Sequence, residues 1–340
     1  MGGNKFRIGI TRDNLRADGK PIFDASVLDM LADPIVEWEF MESPEMEVSP
    51  GDAQRYDAIC AMLTRITRKS LAGNQRLKLI ARFGVGYDSI DVPALTEAGV
   101  LLTIAPDGVR RPVAMAAVTF VLALAQKLLI KDRLTRAGRW QDKLDHIGTG
   151  LSGRVLGMLG IGNIGAEVLR LIRPFDMTPI AHDPFATPSH AALLGAELVE
   201  FDMLFRRADF LVVACPLNER TRGIVDARAL ALMKPSAYLV NIARGPIVDE
   251  TALIEALGDK RIAGAGLDVF ETEPTPSSNP LLGMENVIVT PHGICFTDEC
   301  LAGLARSAFG AALDVAHGKV PPHLVNRDAL GHKRLAALRG

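Results

Sequence analysis

The chain has 340 residues, 48% hydrophobic and 23% charged, with a formal net charge of −2. That excludes a disordered chain and leaves room for two domains. Its 38 basic residues are spread out without a basic tail or stripe, so no nucleic-acid partner is expected, and a pI near 6.4 speaks against an anionic membrane surface.

The first residues read as a disordered start, with neither a signal core nor a myristoylation pattern. Short apolar runs at Phe6 to Ile10, Tyr56 to Met62, Leu77 to Phe83 and Val100 to Ile104 are predicted strands. Polar, helix-like segments such as Arg68 to Asn74 lie between them, the pattern of a parallel α/β sheet. Residues 112–129 carry a long apolar helix pattern opened by Pro112. Its most apolar run, Val113 to Ala125, is too short to span a bilayer. Arg133 to Gly150 is a polar stretch.

From Val155 a dense strand–helix alternation begins. Six predicted strands follow, at Val155–Leu159, Thr178–Ala181, Phe210–Ala214, Ala237–Ile242, Ala263–Leu267 and Val287–Thr290, which suits a dinucleotide-binding sheet. A helix over 300–316 comes after the last strand. The expected organisation is two Rossmann-like, doubly wound parallel α/β domains. One is discontinuous and flavodoxin-like, over 1–105 and 300–340, and it holds an inserted dinucleotide-binding domain over 106–299. Cys60, Cys215, Cys295 and Cys300 form no CxxC pair, so reduced thiols in a cytoplasmic protein are expected. His292, Cys295 and Cys300 match no zinc spacing, and no metal is expected.

Gly160-Ile161-Gly162-Asn163-Ile164-Gly165 follows the first of the six strands and opens a helix pattern from Ala166 to Ile172. In that context the first glycine allows the tight turn, the second lets backbone approach a pyrophosphate, and the third lets helix and strand pack closely. The helix N-terminus offers free N–H groups to the phosphates. Asp183 ends the next strand, 18 residues after Gly165, near the distance of a ribose-binding acid, which favours NAD over NADP. A turn Asp before Pro184 is the plainer alternative.

Three later strand ends carry Asn241-Ile242-Ala243-Arg244-Gly245, Leu267-Asp268-Val269-Phe270-Glu271-Thr272-Glu273-Pro274 and Thr290-Pro291-His292-Gly293. Ligands bind beyond the carboxyl ends of strands in open α/β sheets, so an Arg, an acid and a His are delivered to one edge. A guanidinium orients a carboxylate, and an imidazole backed by a carboxylate exchanges a proton with an alkoxide. Each could instead be structural: Arg244 beside a turn glycine, His292 as a satisfied histidine.

With these motifs, and with Ala81-Arg82-Phe83-Gly84-Val85-Gly86-Tyr87-Asp88-Ser89-Ile90-Asp91 early on and Val325-Asn326 near the end, the chain resembles the D-isomer-specific 2-hydroxyacid dehydrogenases, which include phosphoglycerate, glyoxylate/hydroxypyruvate and D-lactate dehydrogenases. The resemblance covers nearly the whole chain. It implies NAD-dependent interconversion of a small 2-oxo acid and its D-2-hydroxy acid. Arg244 would bind substrate, His292 would be the general acid/base and Glu273 its partner, with Glu271 the weaker candidate by spacing. Asp268 would take the nicotinamide carboxamide, and the N–H groups of Val85 and Gly86 the substrate carboxylate. Cys215, Ile242 and Ala243 would join Gly160, Gly162, Asn163, Ile164, Gly165 and Asp183 around the cofactor. The apolar helix after Pro112 would build a homodimer.

The sequence departs from the family pattern at Met115, where an acid often stands, at Arg110 and Arg111, and at Gly293-Ile294-Cys295-Phe296, where a small trio is common. These leave the substrate open. So does Arg65, which either meets a second anionic group or is merely solvated. Alternatives on the same fold are an NAD(H)-sensing, corepressor-like binding protein and a formate- or phosphite-type dehydrogenase.

Overall fold

The computed structural model describes residues 5–42 and 46–339; the expectation of a disordered start falls mainly on residues outside these. The chain forms two compact units, residues 1–109 with 296–340 and residues 110–295.

The first unit is built on a parallel sheet of β1 (Phe6–Ile10), β2 (Val36–Phe40), β3 (Ala58–Ala61), β4 (Leu79–Arg82) and β5 (Leu101–Thr103), in the order β2-β1-β3-β4-β5. This is the flavodoxin-like order, whose carboxyl edge carries ligands. Four of these strands match the predicted apolar runs. β2 does not: Val-Glu-Trp-Glu-Phe alternates apolar and charged residues because it is an edge strand paired only with β1. Between β3 and β4, Arg68 to Asn74 holds only a short 3-10 turn, Lys69–Leu71. The helix Asp298–Ala316 packs on β3 and β4. There Phe309 joins Phe23 and Phe83 in an aromatic cluster with centroids 5.6–6.0 Å apart. Asn326 ties the C-terminal segment to β5, accepting from Leu102 N–H at 2.8 Å and donating to Val100 O at 2.9 Å.

The second unit holds β6 (Val155–Leu159), β7 (Thr178–His182), β8 (Glu197–Leu198), β9 (Phe210–Val213), β10 (Tyr238–Asn241), β11 (Gly264–Leu267) and β12 (Val287–Val289), all parallel. The order β12-β11-β10-β9-β6-β7-β8 is the doubly wound dinucleotide-binding order with an added strand, and its switch point lies between β6 and β9. The sheet thus has seven strands rather than the six expected, because the two-residue β8 is too short to leave a sequence pattern. β9 and β10 are buried on both faces, which explains their unbroken apolar runs.

The apolar helix differs from the expectation. It spans Pro106–Ala125, so Pro112 lies inside it, and a second helix, Leu128–Arg136, follows a left-handed Lys127 at φ 50°. Part of the supposed polar stretch is therefore helical. Pro106 supplies the N-terminal proline. Gly108 suits the site because a Cβ there would lie 2.8 Å from the backbone nitrogen of Leu304, a close approach of two helices. At 20 residues with mean hydropathy 1.5, this helix is long and apolar enough to cross a membrane by length and composition alone; 56% of the window is buried within the fold.

Candidate active site

The turn after β6 brings the predicted glycines to the switch point. Gly160 has φ 96°, and a Cβ on it would meet the backbone nitrogen of Cys215 at 2.9 Å, so only glycine lets the turn pass the end of β9. A Cβ on Gly165 would sit 2.3 Å from Gly160 O, where turn and helix touch. Gly162 caps the helix Asn163–Ile172 and has open space beside it. Glycines that only a bare backbone can occupy, an open face at the second of them and a helix N-terminus together form a cradle that fits a pyrophosphate.

Asp183 follows β7 at the same edge. Its Oδ2 accepts from Ile161 N–H and its Oδ1 from Phe185 N–H, each at 2.9 Å. The carboxylate is thereby aimed from the glycine turn, and its further lone pairs can take ribose hydroxyls. Cys215, beside Gly160, is mostly buried, which pushes its thiol up to about 11. It is a packing group rather than a nucleophile.

Arg244 comes just after β10. Asn241, which sequence reasoning passed over, shapes this turn: its amide donates to Arg244 O and its Oδ1 accepts from Ala243 N–H, both at 3.0 Å. Arg244 Nη1 donates to Ala243 O at 2.6 Å. Ile242 is buried beneath the turn.

Glu273 and His292 meet as expected, with Glu273 Oε2 2.7 Å from His292 Nδ1. Phe270 N–H donates to the other oxygen at 2.9 Å. Burial alone would raise the Glu273 carboxyl. The His292 ring, the Phe270 N–H and the charges of His292 and Arg244 outweigh it, and the carboxyl is held below its usual 4.5. An ionised carboxylate only accepts, so Nδ1 carries the hydrogen and Nε2 is left for other partners. Glu271 instead has its backbone N–H on Glu250, 3.0 Å away, and no contact between its side chain and His292 is seen among the described residues.

The sign of the Glu273 shift has a measurable result. A carboxyl with a depressed folded pKa contributes stability above its unfolded pKa, and loses it as pH falls through the folded value. The part of the stability difference between wild type and Glu273→Gln that comes from this shift should therefore fall as pH drops below about 5 and vanish on further acidification. Chemical denaturation across pH 3 to 7 checks this; a difference that grows toward acid would contradict it.

His292 itself sits at φ 51°, a costly conformation for a non-glycine residue. Asp268 holds it there: buried at the end of β11, its Oδ1 accepts from Thr290 Oγ1 at 2.6 Å, Gly293 N–H at 2.9 Å and Ile294 N–H at 3.1 Å. Three donors straddling His292 fix the loop that presents it. Thr290 is a second residue that sequence reasoning did not single out; its place in Thr-Pro-His was the available signal.

In the first unit, Val85 and Gly86 lie in the loop after β4. Arg82 Nε donates to Gly86 O at 2.8 Å and Nη1 to Phe83 O at 3.0 Å. With those carbonyls drawn toward Arg82, the N–H groups of Gly84, Val85 and Gly86 have no acceptor among the described residues. Consecutive free amides of this kind make a concave anion site.

The sequence profile of the D-isomer specific 2-hydroxyacid dehydrogenase, NAD binding domain, matches residues 118–293. A glyoxylate reductase of Thermococcus litoralis is 34% identical over 300 residues, 86% of this chain and 90% of that protein. A D-3-phosphoglycerate dehydrogenase of Methanocaldococcus jannaschii is 38% identical over 81% of this chain, which spans about half (52%) of that longer protein. The crystal structure of a glyoxylate reductase from Paecilomyes thermophila superposes with a TM-score of 0.78 at 28% identity, covering 92% of this chain and 95% of that one. The glycine cradle, its partner acid and these similarities agree: the chain belongs to the D-isomer specific 2-hydroxyacid dehydrogenase family, and is an oxidoreductase that uses NAD.

Proposed function

We propose that the protein reduces a small 2-oxo acid to its D-2-hydroxy acid, and runs the reverse reaction, with His292 as general acid and base. The observation that carries this reading is the His292–Glu273 pair, 2.7 Å apart on the same sheet edge as Arg244. When bound along Gly160, Gly162, Asn163, Ile164 and Gly165, the nicotinamide cofactor supplies or takes the hydride. Asp183 would accept the ribose hydroxyls, with Cys215, Ile242 and Ala243 lining the same site. Asp268 has its Oδ1 committed to the His292 loop and offers Oδ2 to the carboxamide. His292 Nε2 gives its proton to the developing alkoxide, and Glu273 stabilises the imidazolium form through Nδ1. Arg244 orients the oxygen atoms of the substrate. The N–H groups of Val85 and Gly86 hold its carboxylate.

On this reading residues 106–299 are the NAD-binding domain, and residues 1–105 with 300–340 the substrate domain. Trp140, Leu144 and Ile147 expose apolar side chains soon after the helix Pro106–Ala125, which supports a homodimer, as does Met115 on the helix itself; light scattering decides it. The four free cysteines suit the cytoplasm.

The deciding experiment follows NADH oxidation with glyoxylate, hydroxypyruvate, pyruvate and branched 2-oxo acids, with NADPH in parallel. Glyoxylate comes first because relatives carry its name. Turnover with NADH, much exceeding that with NADPH, is expected. NADH binding without turnover on any 2-oxo acid would leave a nucleotide sensor instead.

A further inference from the structure

Three loops leave the carboxyl edge of the first sheet side by side: residues 11–14 after β1, 62–66 after β3 and 83–90 after β4. Backbone bonds fix their order. Thr11 N–H donates to Cys60 O at 3.0 Å, Phe83 N–H to Ala61 O at 2.8 Å and Ile66 N–H to Ser89 O at 3.1 Å. Asp13 joins the first loop to the second. Its Oδ2 accepts from Leu63 N–H at 2.6 Å, Thr64 N–H at 2.9 Å and Thr64 Oγ1 at 3.0 Å. Its Oδ1 accepts from Thr11 Oγ1, and from Asn14 Nδ2 at 3.2 Å. One carboxylate thus takes five donors, three of them from residues 63 and 64.

Residues Met62, Thr64 and Ile66 are buried, while Leu63 between them is 51% exposed. The register of β3 on β4 ends with Ala61 opposite Arg82, so the loops carrying Leu63 and the free amides of Gly84 to Gly86 leave neighbouring strand ends. Tyr87, 40% exposed, follows those amides in the chain. The edge therefore carries an exposed apolar side chain, Leu63, on the loop that neighbours the free amides. In the first two loops the Thr11 and Thr64 hydroxyls and the Asn14 amide turn inward to Asp13. Arg65 lies two residues further along, where its backbone joins Met46 and Glu47 rather than the loop after β4.

We propose that Asp13 is a positioning residue for specificity: it fixes Leu63 beside the Gly84–Gly86 amides, so that the enzyme selects 2-oxo acids whose C3 substituent is uncharged and apolar over those with a second anionic group. The inference rests on the docking of the substrate carboxylate proposed above. A second carboxylate or phosphate placed against Leu63 would lose water without gaining a partner from that side chain. An alkyl group there gains by burial.

The test measures kcat and KM with NADH for 2-oxobutyrate, 4-methyl-2-oxopentanoate, glyoxylate and 3-phosphohydroxypyruvate, in wild type, Asp13→Ala, Asp13→Asn, Leu63→Ala and Arg65→Ala. Wild type is expected to favour an alkyl acid over 3-phosphohydroxypyruvate by at least about tenfold in kcat/KM, the worth of one apolar pocket contact. Asp13→Ala and Leu63→Ala should each shrink the ratio of alkyl acid to glyoxylate by roughly tenfold, chiefly through KM. Asp13→Asn, which keeps an acceptor for the Leu63 and Thr64 amides, should restore part of it. NADH affinity, read by fluorescence, separates this from misfolding. Three results overturn the proposal alone: a preference for 3-phosphohydroxypyruvate that Arg65→Ala removes, an unchanged ratio in Leu63→Ala, or an equal loss on all acids in Asp13→Ala with NADH affinity intact. No turnover by wild type on any 2-oxo acid overturns the underlying reading and the proposal with it.

Discussion

His292→Asn is expected to lower kcat by roughly 10²–10⁴-fold, the usual worth of a positioned general acid, with NADH affinity kept. Asparagine is the right replacement because of the backbone. His292 has φ 51°, and asparagine is among the few residues that tolerate the left-handed region. The loop should therefore keep its shape, with Thr290 and the N–H groups of Gly293 and Ile294 still on Asp268. The amide can still hydrogen-bond to Glu273, so the carboxylate is not left without a partner. Only the exchangeable proton at Nε2 is gone. Steady-state kinetics with the best 2-oxo acid, together with NADH fluorescence titration, measure the effect. A loss of only a few-fold would remove His292 from the chemistry. A parallel loss of NADH binding would mean that the loop had moved.

The second large effect is one of stability. Gly245→Ala should cost about 3 kcal/mol, the upper range for forcing atoms into a packed interior, and activity should fall with it. A Cβ on Gly245 would lie 1.8 Å from Phe270 O, 1.9 Å from Phe270 C and 2.4 Å from Glu271 N. All three are backbone atoms, so no rotamer change relieves the clash and the chain at 270–271 must shift. That chain leads directly to Glu273, whose Oε1 is held by Phe270 N–H, and Gly245 directly follows Arg244. One methyl group therefore pushes the arginine turn and the carboxylate turn apart. Urea denaturation checks the stability. A variant as stable as wild type, with unchanged kinetics, would show that the two turns are not in contact as described.

The glycine turn, the acid after β7 and the three strand-end motifs were legible because each is a short run whose chemistry depends on local spacing. What the sequence hid depends on partners far along the chain. Gly108 and Pro112 look like helix breakers, and the close approach to Gly303 and Leu304 is what makes Gly108 suitable. In β2, the two glutamates of Val-Glu-Trp-Glu-Phe mask a strand whose period-2 pattern was nonetheless present. Asn241, Thr290, Arg82 and Asp13 act by holding backbone in place. A residue type alone does not announce that task, since the same Asp can cap a turn anywhere. Arg82 had a hint, standing two residues ahead of Gly84, and Asp13 had none.

Asp268 and Asp13 each clamp a neighbouring loop, and several of the groups they clamp are backbone amides: Gly293 and Ile294 in one case, Leu63 and Thr64 in the other. An amide is supplied by every residue except proline. Where the side chain itself is exposed, as at Leu63, it is therefore free to drift under selection while the loop path stays fixed. Such a scaffold can explore new substrates by exchanging Leu63, without first having to reinvent the loop that carries it. A library randomised at that position, with proline excluded, should accordingly keep a high proportion of folded members.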